Sequence, residues 1–379
     1  MGYSPEEIFS CSVTVQGQTI PIASSSFNLS FSDSIYELCP QIVLSGNDVS
    51  GIASESRLGI IGQEVLFSID AAGTNMKLPM VCRMYETPQS NSANGISGTI
   101  KLVFQHSAKY TDRKNAAWQG KSPAYVFSNT IQRTDAKKMS SCNTLSMIYN
   151  PGYDFEEFTD KILLKTASNG SPQSSPYYAF VDIRNSACFL SLKDMLQSSP
   201  VKKIIFGQPL DTESDSVVAL KMNSFSQDYA KISPFVDETI TFFNQKNEIE
   251  TQDVSLNKMF NPLALMKNTS SINPRTPENS LHPVSPVVEY AKLNMERRKG
   301  LTFDKFTVLT FLDPSLHAGQ MVEVDAYLDV PGSEKAESFS GRFLIEASEH
   351  TWSASELMGY TKLIIGRPTM QVRGKELYQ

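Results

Sequence analysis

The tightest constraint on this chain is a pattern that occurs twice. Gly62-Gln63-Glu64-Val65 and Gly319-Gln320-Met321-Val322 each open a strand-like run. Further on, Gly98-Thr99-Ile100-Lys101-Leu102-Val103-Phe104 is matched by Gly359-Tyr360-Thr361-Lys362-Leu363-Ile364-Ile365. The order is the same, and the separations are 36 residues (62 to 98) and 40 residues (319 to 359). Each word alone is common. The shared order and spacing point to a duplicated β-module. The second copy is the easier to read. Residues 319–367 give three strands, 321–328, 341–352 and 359–366, bounded by Gly319-Gln320, Val330-Pro331-Gly332 and a polar turn at 353–356. Period-two alternation with this punctuation predicts a half-buried antiparallel meander. In its middle strand Phe343, Ile345 and Ala347 are expected on the core side. Glu346, Ser348 and His350 are expected on a polar side open to solvent, a lumen or neighbours.

The first hundred residues carry the same texture. Short alternating pieces at 12–15, 20–22, 26–31, 41–44, 64–69, 78–85 and 99–104 are separated by turn-rich segments such as Gly46-Asn47-Asp48, with a helical or turn segment at 33–38. Near Lys109 the texture changes. Ser122-Pro123 is an N-cap followed by proline at the first helical position. Asp154, with Glu157 three residues on and a Phe155, Phe158, Ile162, Leu163 stripe, predicts a second helix stopped at Asn169-Gly170. The strands 177–183 and 187–192 flank Arg184-Asn185-Ser186 as a hairpin. Strand texture returns at 204–206, 217–222 and 239–243. Residues 261–286 read as a long loop, 285–299 as a helix, and 303–312 as the strand leading into the meander.

Chemistry is conspicuous by its scatter. His106, His282, His317 and His350 have no metal-ligand spacing and read as surface or satisfied core residues. Gly120-Lys121-Ser122 lacks the upstream glycine and apolar strand of a phosphate loop, so Ser122 is better read as a helix cap. Glu156-Glu157 reads as helix solvation, and Glu346 and Glu349 as an exposed strand face. Arg297-Arg298-Lys299 reads as a helix end complementing the dipole, and Trp118 and Trp352 as core or interface filling. Five cysteines, Cys11, Cys39, Cys82, Cys142 and Cys188, are odd in number with no paired spacing, which predicts reduced, mostly buried thiols. The sequons at Asn28 and Asn268 are then accidental. A formal charge of −6 argues against a nucleic-acid grip, and no apolar run reaches membrane-spanning length. The N-terminus has no basic region or apolar core of a secretory signal. No catalytic residue, cofactor site or metal site is assigned.

Three stretches carry a resemblance. Phe31-Ser32-Asp33-Ser34-Ile35-Tyr36 with its following strands, Tyr153-Asp154-Phe155-Glu156-Glu157-Phe158 through Gly207-Gln208-Pro209, and the helix and meander of 285–367 occur in the order found in the central baseplate hub of contractile-tailed, T-even-like phages. The chain resembles that family across most of its length. The resemblance implies a mainly β fold with an α+β insertion: two tail-tube-like antiparallel barrel or sandwich modules plus a small inserted α/β domain. The expected parts are a first β-module at 1–106, the inserted domain at 107–205, and return strands at 206–260. A long loop at 261–284 and a helix with the second β-module at 285–379 complete them. The family forms homotrimers that present six modules around a lumen, joining a hexameric tail tube to a trimeric spike. Implied partners are the spike, tube or tube-initiator proteins, the tape measure protein and baseplate wedge proteins, in a virion assembled in the host cytoplasm. The family has no catalytic residues to carry over. An acidic chain suits a lumen that DNA slides past. A siphophage tail-tip hub or an injection-system hub is the nearest alternative, although the end at Gln379 without a spike repeat counts against a fused secretion spike. A β-rich carbohydrate-binding or hydrolytic protein with an unrecognised site is the alternative of another class.

Overall fold

The computed structural model describes residues 9–47, 60, 62–86, 89–92, 95–110, 115–169, 175–207, 216–224, 237–243, 249–255, 304–327, 335–336 and 339–367. The expected loop at 261–284 and helix at 285–299 lie outside them.

The first eight strands are β1 (Phe9–Val15), β2 (Gln18–Ile22), β3 (Phe27–Ser34), β4 (Gln41–Asn47), β5 (Glu64–Ala71), β6 (Thr74–Glu86), β7 (Gln89–Ser92) and β8 (Gly95–His106). They pair in the order β3-β4-β8-β6-β5-β1-β2, all antiparallel, and β7 folds back on β8. Alternation makes the core. Phe27, Leu29 and Phe31 of β3 turn inward with Val65, Phe67 and Ile69 of β5 and Met76, Leu78 and Met80 of β6. Two local readings change here. Asp33 and Ser34 end a strand, so the expected helical or turn segment starts only at Ile35, as a turn, and β4 runs on through Gly46 and Asn47 instead of turning there. In both places cross-strand pairing overrides turn propensity.

The middle segment adds β9 (Ala116–Lys121), helix α1 (Pro123–Thr130), β10 (Ala136–Met139), β11 (Leu145–Asn150), helix α2, β12 (Tyr177–Val181), β13 (Ser186–Ser191) and helix α3 (Leu192–Gln197). Helix α2 is an α-turn over Phe155–Phe158, a π-turn over Thr159–Leu163 and a last turn over Leu164–Thr166. The predicted caps form: Ser122 Oγ accepts from Tyr125 N–H at 3.2 Å, and Asp154 Oδ1 from Glu157 N–H at 2.9 Å. The second helix ends at Thr166, before the Asn169-Gly170 stop expected for it. The hairpin at Asn185 also forms, with Asn185 in the left-handed region at φ 58°. Strands β12 and β13 are buried on both faces. Tyr177, Ala179 and Val181 face the helices, while Tyr178 and Phe180 face Met321 and Leu344 of the last strands. Such a doubly covered sheet needs near-continuous apolar sequence, and Tyr177-Tyr178-Ala179-Phe180-Val181 supplies it.

The last strands are β14 (Lys203–Phe206), β15 (Ser216–Ser224), β16 (Asp237–Phe243), β17 (Ile249–Ser255), β18 (Asp304–Phe311), β19 (Met321–Ala326), β20 (Gly341–Ser353) and β21 (Met358–Arg367). Strands β16 and β17 form their own hairpin. The other six close a barrel in the order β19-β14-β15-β18-β21-β20, with β20 returning to β19.

The duplication holds residue by residue. Strands β3, β4, β5, β6 and β8 pair as β15, β18, β19, β20 and β21 do. Val65 lies opposite Met80, and Val322 opposite Phe343. Gly62 N–H donates to Cys82 O at 3.1 Å, and Gly319 N–H to Ile345 O at 2.9 Å. Phe104 faces Cys82 and Ile42; Ile365 faces Ile345 and Phe306. Even the irregularity repeats: a bulge inserts Arg83 into β6 and Glu346 into β20 at matched positions. The pairings of the next strand differ: β14 also joins β15, whereas its counterpart β1 is not paired with β3 among the described residues. Strand β14 runs parallel to its neighbours, while its counterpart β1 is antiparallel to β5.

The paired glycines give a test. Gly62 and Gly319 have φ of 76° and 84°, so a side chain at either is strained. A Cβ at Gly62 would meet nothing within 4 Å, whereas at Gly319 it would lie 2.6 Å from Phe180 Cζ. Gly62→Ala is expected to cost about 1 kcal/mol, and Gly319→Ala about 2–4 kcal/mol because overpacking adds to strain. Urea denaturation of both variants checks this. Equal costs would show that Phe180 yields.

Candidate functional site at the module junction

The two modules meet edge to edge. Strand β20 leaves β19 after Ile345 and is taken up by β3, with Ala347 opposite Ser34 and Trp352 opposite Leu29. The bulge at Glu346 makes the handover. Its extra residue shifts the phase of alternation by one. Phe343 and Ile345 face the core before it, and Ser348, His350 and Trp352 face the core after it. The polar side expected for Glu346, Ser348 and His350 is therefore not open: all three are buried.

What they meet is a polar cluster where both modules and the middle segment converge. Asp33, at the end of β3, has Oδ1 accepting from Ser348 Oγ at 2.6 Å and from Ala318 N–H at 3.1 Å. Its Oδ2 accepts from Ile183 N–H at 3.0 Å. Burial pushes its carboxyl above the usual range, against the pull of His317 and the Ser348 hydrogen bond. Next to it, Asp182 accepts from Arg184 and Ser186 N–H groups and from Lys138 Nζ at 2.9 Å. His317 Nδ1 lies 3.8 Å from Asp182. His350 has Nε2 at 3.0 Å from Ser348 Oγ and Nδ1 at 2.9 Å from Thr361 Oγ, and its ring stacks on Phe31 at 4.9 Å. Burial lowers its pKa to about 3, so the ring is neutral. Serine, histidine and aspartate are thus adjacent, but this is no hydrolytic triad. Ser348 Oγ points its proton at Asp33, and Ser348 and His350 are 2% and 0% exposed, so no substrate reaches them.

Glu346 itself takes Lys305 Nζ at 2.6 Å and the Tyr36 hydroxyl at 2.7 Å. Burial pushes its carboxyl up, opposed by Lys305. Beyond it Trp352 leaves its own module. Its ring is fully buried among first-module residues, stacks on Phe9 at 4.8 Å, and donates from Nε1 to Ser24 O at 2.9 Å.

The outward face of the joined sheet carries ion pairs that repeat too. Lys101 pairs with Glu86 at 3.3 Å, and the matched Lys362 pairs with Glu349 at 3.4 Å. Ser30 Oγ donates to Glu349 at 3.3 Å across the β3–β20 seam.

The remaining sequence candidates are placed as follows. His106 is buried, with Nδ1 accepting from Ala108 N–H and Nε2 at 2.8 Å from Asn185 Oδ1; burial lowers its pKa to about 4. His282 and Arg297-Arg298-Lys299 lie outside the described residues. Gly120, Lys121 and Ser122 end β9 and cap α1. Glu156 pairs with Lys109 and Glu157 with Lys161 on the first turn of α2. Trp118 stacks on Phe158. Cys11, Cys39, Cys82 and Cys188 are buried, Cys142 is half-buried, and burial pushes each thiol up, Cys82 to about 11. Among the described residues no group of His, Cys, Asp and Glu could hold a metal ion. Asp33 was missed in sequence, although it was visible: it falls in phase with Phe27, Leu29 and Phe31, a charge on a core face.

No protein-family model matches the chain, nor does any curated protein sequence. Solved structures do. The tail protein from Neisseria meningitidis MC58 superposes with a TM-score of 0.57 at 10% identity, over 95% of this chain and 96% of that one. The 43 kDa tail protein of prophage MuSo2 from Shewanella oneidensis gives 0.56 at 8% identity, over 95% and 98%. The E. coli c3393 protein, a component of the type VI secretion system similar to T4 tail proteins gp27 and gp5, gives 0.50 at 11% identity, over 97% and 80%. At these identities the likeness is one of architecture, and the chain has the fold of phage tail proteins.

Proposed function

We propose that this chain is the structural hub of a phage tail baseplate. Three copies form a ring of six tube-like modules that joins a six-fold tail tube to a trimeric spike and lets DNA pass. The observation that carries this reading is the duplication with its seam: one chain already holds two modules in matched register, joined edge to edge through β3 and β20. Two matched units per chain let three copies satisfy six-fold neighbours on one side and three-fold neighbours on the other. The fold shared with tail proteins supports it. So does the outward face, where the matched Lys101 and Lys362 are each paired with a glutamate. Lysines compensated in this way release few counterions to a polyanion and would not hold it. The chain acts by assembly rather than catalysis, the parts being 1–106, 107–205, 206–260, 261–284 and 285–379. Spike, tube, tape measure and wedge proteins are the partners, in the virion tail. A second reading, the hub of a secretion or injection device, draws on the likeness to the type VI component.

Native mass spectrometry and negative-stain imaging of the full chain test the proposal. A trimer with a ring-shaped outline of near six-fold symmetry is expected. A monomer across micromolar concentrations, with no ring, would sink it.

A further inference from the structure

Four buried residues cross the seam as a chain of hydrogen bonds in which each proton has a definite place. Register sets them side by side: Ser348 lies opposite Asp33 across β20 and β3, and His350 opposite Thr361 across β20 and β21. An ionised Asp33 can only accept, so Ser348 Oγ gives its hydrogen to Asp33 Oδ1 at 2.6 Å. Ser348 Oγ then accepts from His350 Nε2–H at 3.0 Å. The ring is neutral, burial having lowered its pKa to about 3, so Nδ1 is bare and accepts from the Thr361 hydroxyl at 2.9 Å. Thr361 Oγ in turn accepts from Asp313 N–H at 2.8 Å. The chain points from β21 through β20 to β3, out of the second module and into the first.

We infer that this chain is a reversible relay: when Asp33 takes up a proton, every hydrogen in it turns round and His350 changes from the Nε2–H to the Nδ1–H tautomer. In the reversed state Asp33 Oδ1–H donates to Ser348 Oγ, Ser348 Oγ–H to the bare His350 Nε2, and His350 Nδ1–H to Thr361 Oγ. The second lone pair of that hydroxyl keeps the bond from Asp313 N–H. One proton enters from water and none is lost: Nδ1 gains a hydrogen, Nε2 passes its own to Ser348, and the serine hydrogen moves to Asp33. Ala318 N–H and Ile183 N–H keep their carboxyl oxygens. The seam thus holds its bonds between modules when its carboxylate is neutralised, and burial pushes Asp33 toward that neutral form. Other charged and titratable groups surround the relay. Asp182, paired with Lys138, and His317 face Asp33, and His317 and Asp313 face His350. His317 has Nδ1 at 3.1 Å from Ala318 O and Nε2 at 2.8 Å from Gln320 Nε2. Against its burial, hydrogen bonds from Lys202 and Ser315 hold the Asp313 carboxyl below the usual range. Glu346, on the same strand, is taken by Lys305 and Tyr36. The relay lies within one chain and does not depend on assembly into a ring.

The test is NMR of the full chain with isotope-labelled histidine rings and aspartate carboxyls, from neutral pH down to the acid limit of folding. A bare ring nitrogen resonates far downfield of a protonated one, so each tautomer is read directly. Single His→Gln variants and Asp33→Asn assign the signals. At neutral pH the bare nitrogen of His350 should be Nδ1. As the Asp33 carboxyl carbon titrates, the bare nitrogen should become Nε2 over the same pH range, with no imidazolium. Ser348→Ala cuts the relay between Asp33 and His350; in this variant, its fold checked by circular dichroism, the tautomer should no longer follow Asp33. The parent titration stands alone should the variant not fold. A His350 tautomer that stays fixed while Asp33 titrates would overturn the relay. So would an imidazolium at His350 or His317 with Asp33 still ionised, an Asp33 that never titrates in the folded chain, or a switch that survives Ser348→Ala.

Discussion

Trp352→Ala is expected to lower stability by about 3–5 kcal/mol, the range for truncating a fully buried large aromatic side chain. The indole sits at the end of β20 but fills the core of the other module, stacked on Phe9 and hydrogen-bonded to Ser24 O. Its removal leaves a cavity between β1 and β3 and takes away the hydrogen bond to the half-buried Ser24 carbonyl. Urea unfolding followed by circular dichroism, which does not depend on the missing fluorophore, reads the loss. A double-mutant cycle with Phe9→Ala should show a coupling of about 1 kcal/mol, as for stacked aromatic pairs. A loss under about 1 kcal/mol would mean that the second module is not anchored in the core of the first.

The residues that make this seam divide into those the sequence announces and those it hides. Local grammar was legible: Ser122 and Asp154 cap helices, Asn185 turns a hairpin, and alternation marks β3, β5 and β21. The repeat was legible because register preserves position, so Gly62 and Gly319, or Lys101 and Lys362, stay in step through unrelated side chains. The phase of β20 was not legible. Nothing in Ile345-Glu346-Ala347 marks the bulge, and one inserted residue turns an expected solvent face into core. The β3–β20 pairing joins residues about three hundred positions apart, and no local pattern encodes such a partner. The parallel placement of β14 between β15 and β19 was hidden for the same reason. The histidines read as surface or satisfied core residues; His106, His317 and His350 are buried, and the partners of His106 and His350 come from elements that only the fold brings together.

Asp33→Ala is expected to cost about 3 kcal/mol, because it orphans three buried donors at once, each worth about 1–3 kcal/mol when left unpaired, less the burial penalty of the carboxylate it removes. Those donors, Ile183 N–H, Ala318 N–H and Ser348 Oγ, belong to the middle segment and the second module, while Asp33 belongs to the first. One carboxylate thus ties three parts of the chain. Its pH dependence has a defined sign. Burial raises the Asp33 carboxyl above its unfolded value, so its contribution is fully present below the unfolded value near 3.8 and declines as pH rises through the folded one. The donors orphaned by alanine do not titrate. The difference between parent and variant should therefore be larger in mild acid than at neutral pH, measured by urea midpoints across that range. Asp33→Asn keeps one acceptor but turns an amide N–H toward Ile183 N–H or Ala318 N–H, so it should recover only part of the loss. Full recovery by asparagine, or a difference that grows with pH, would show that the junction is held by packing alone and not by this carboxylate.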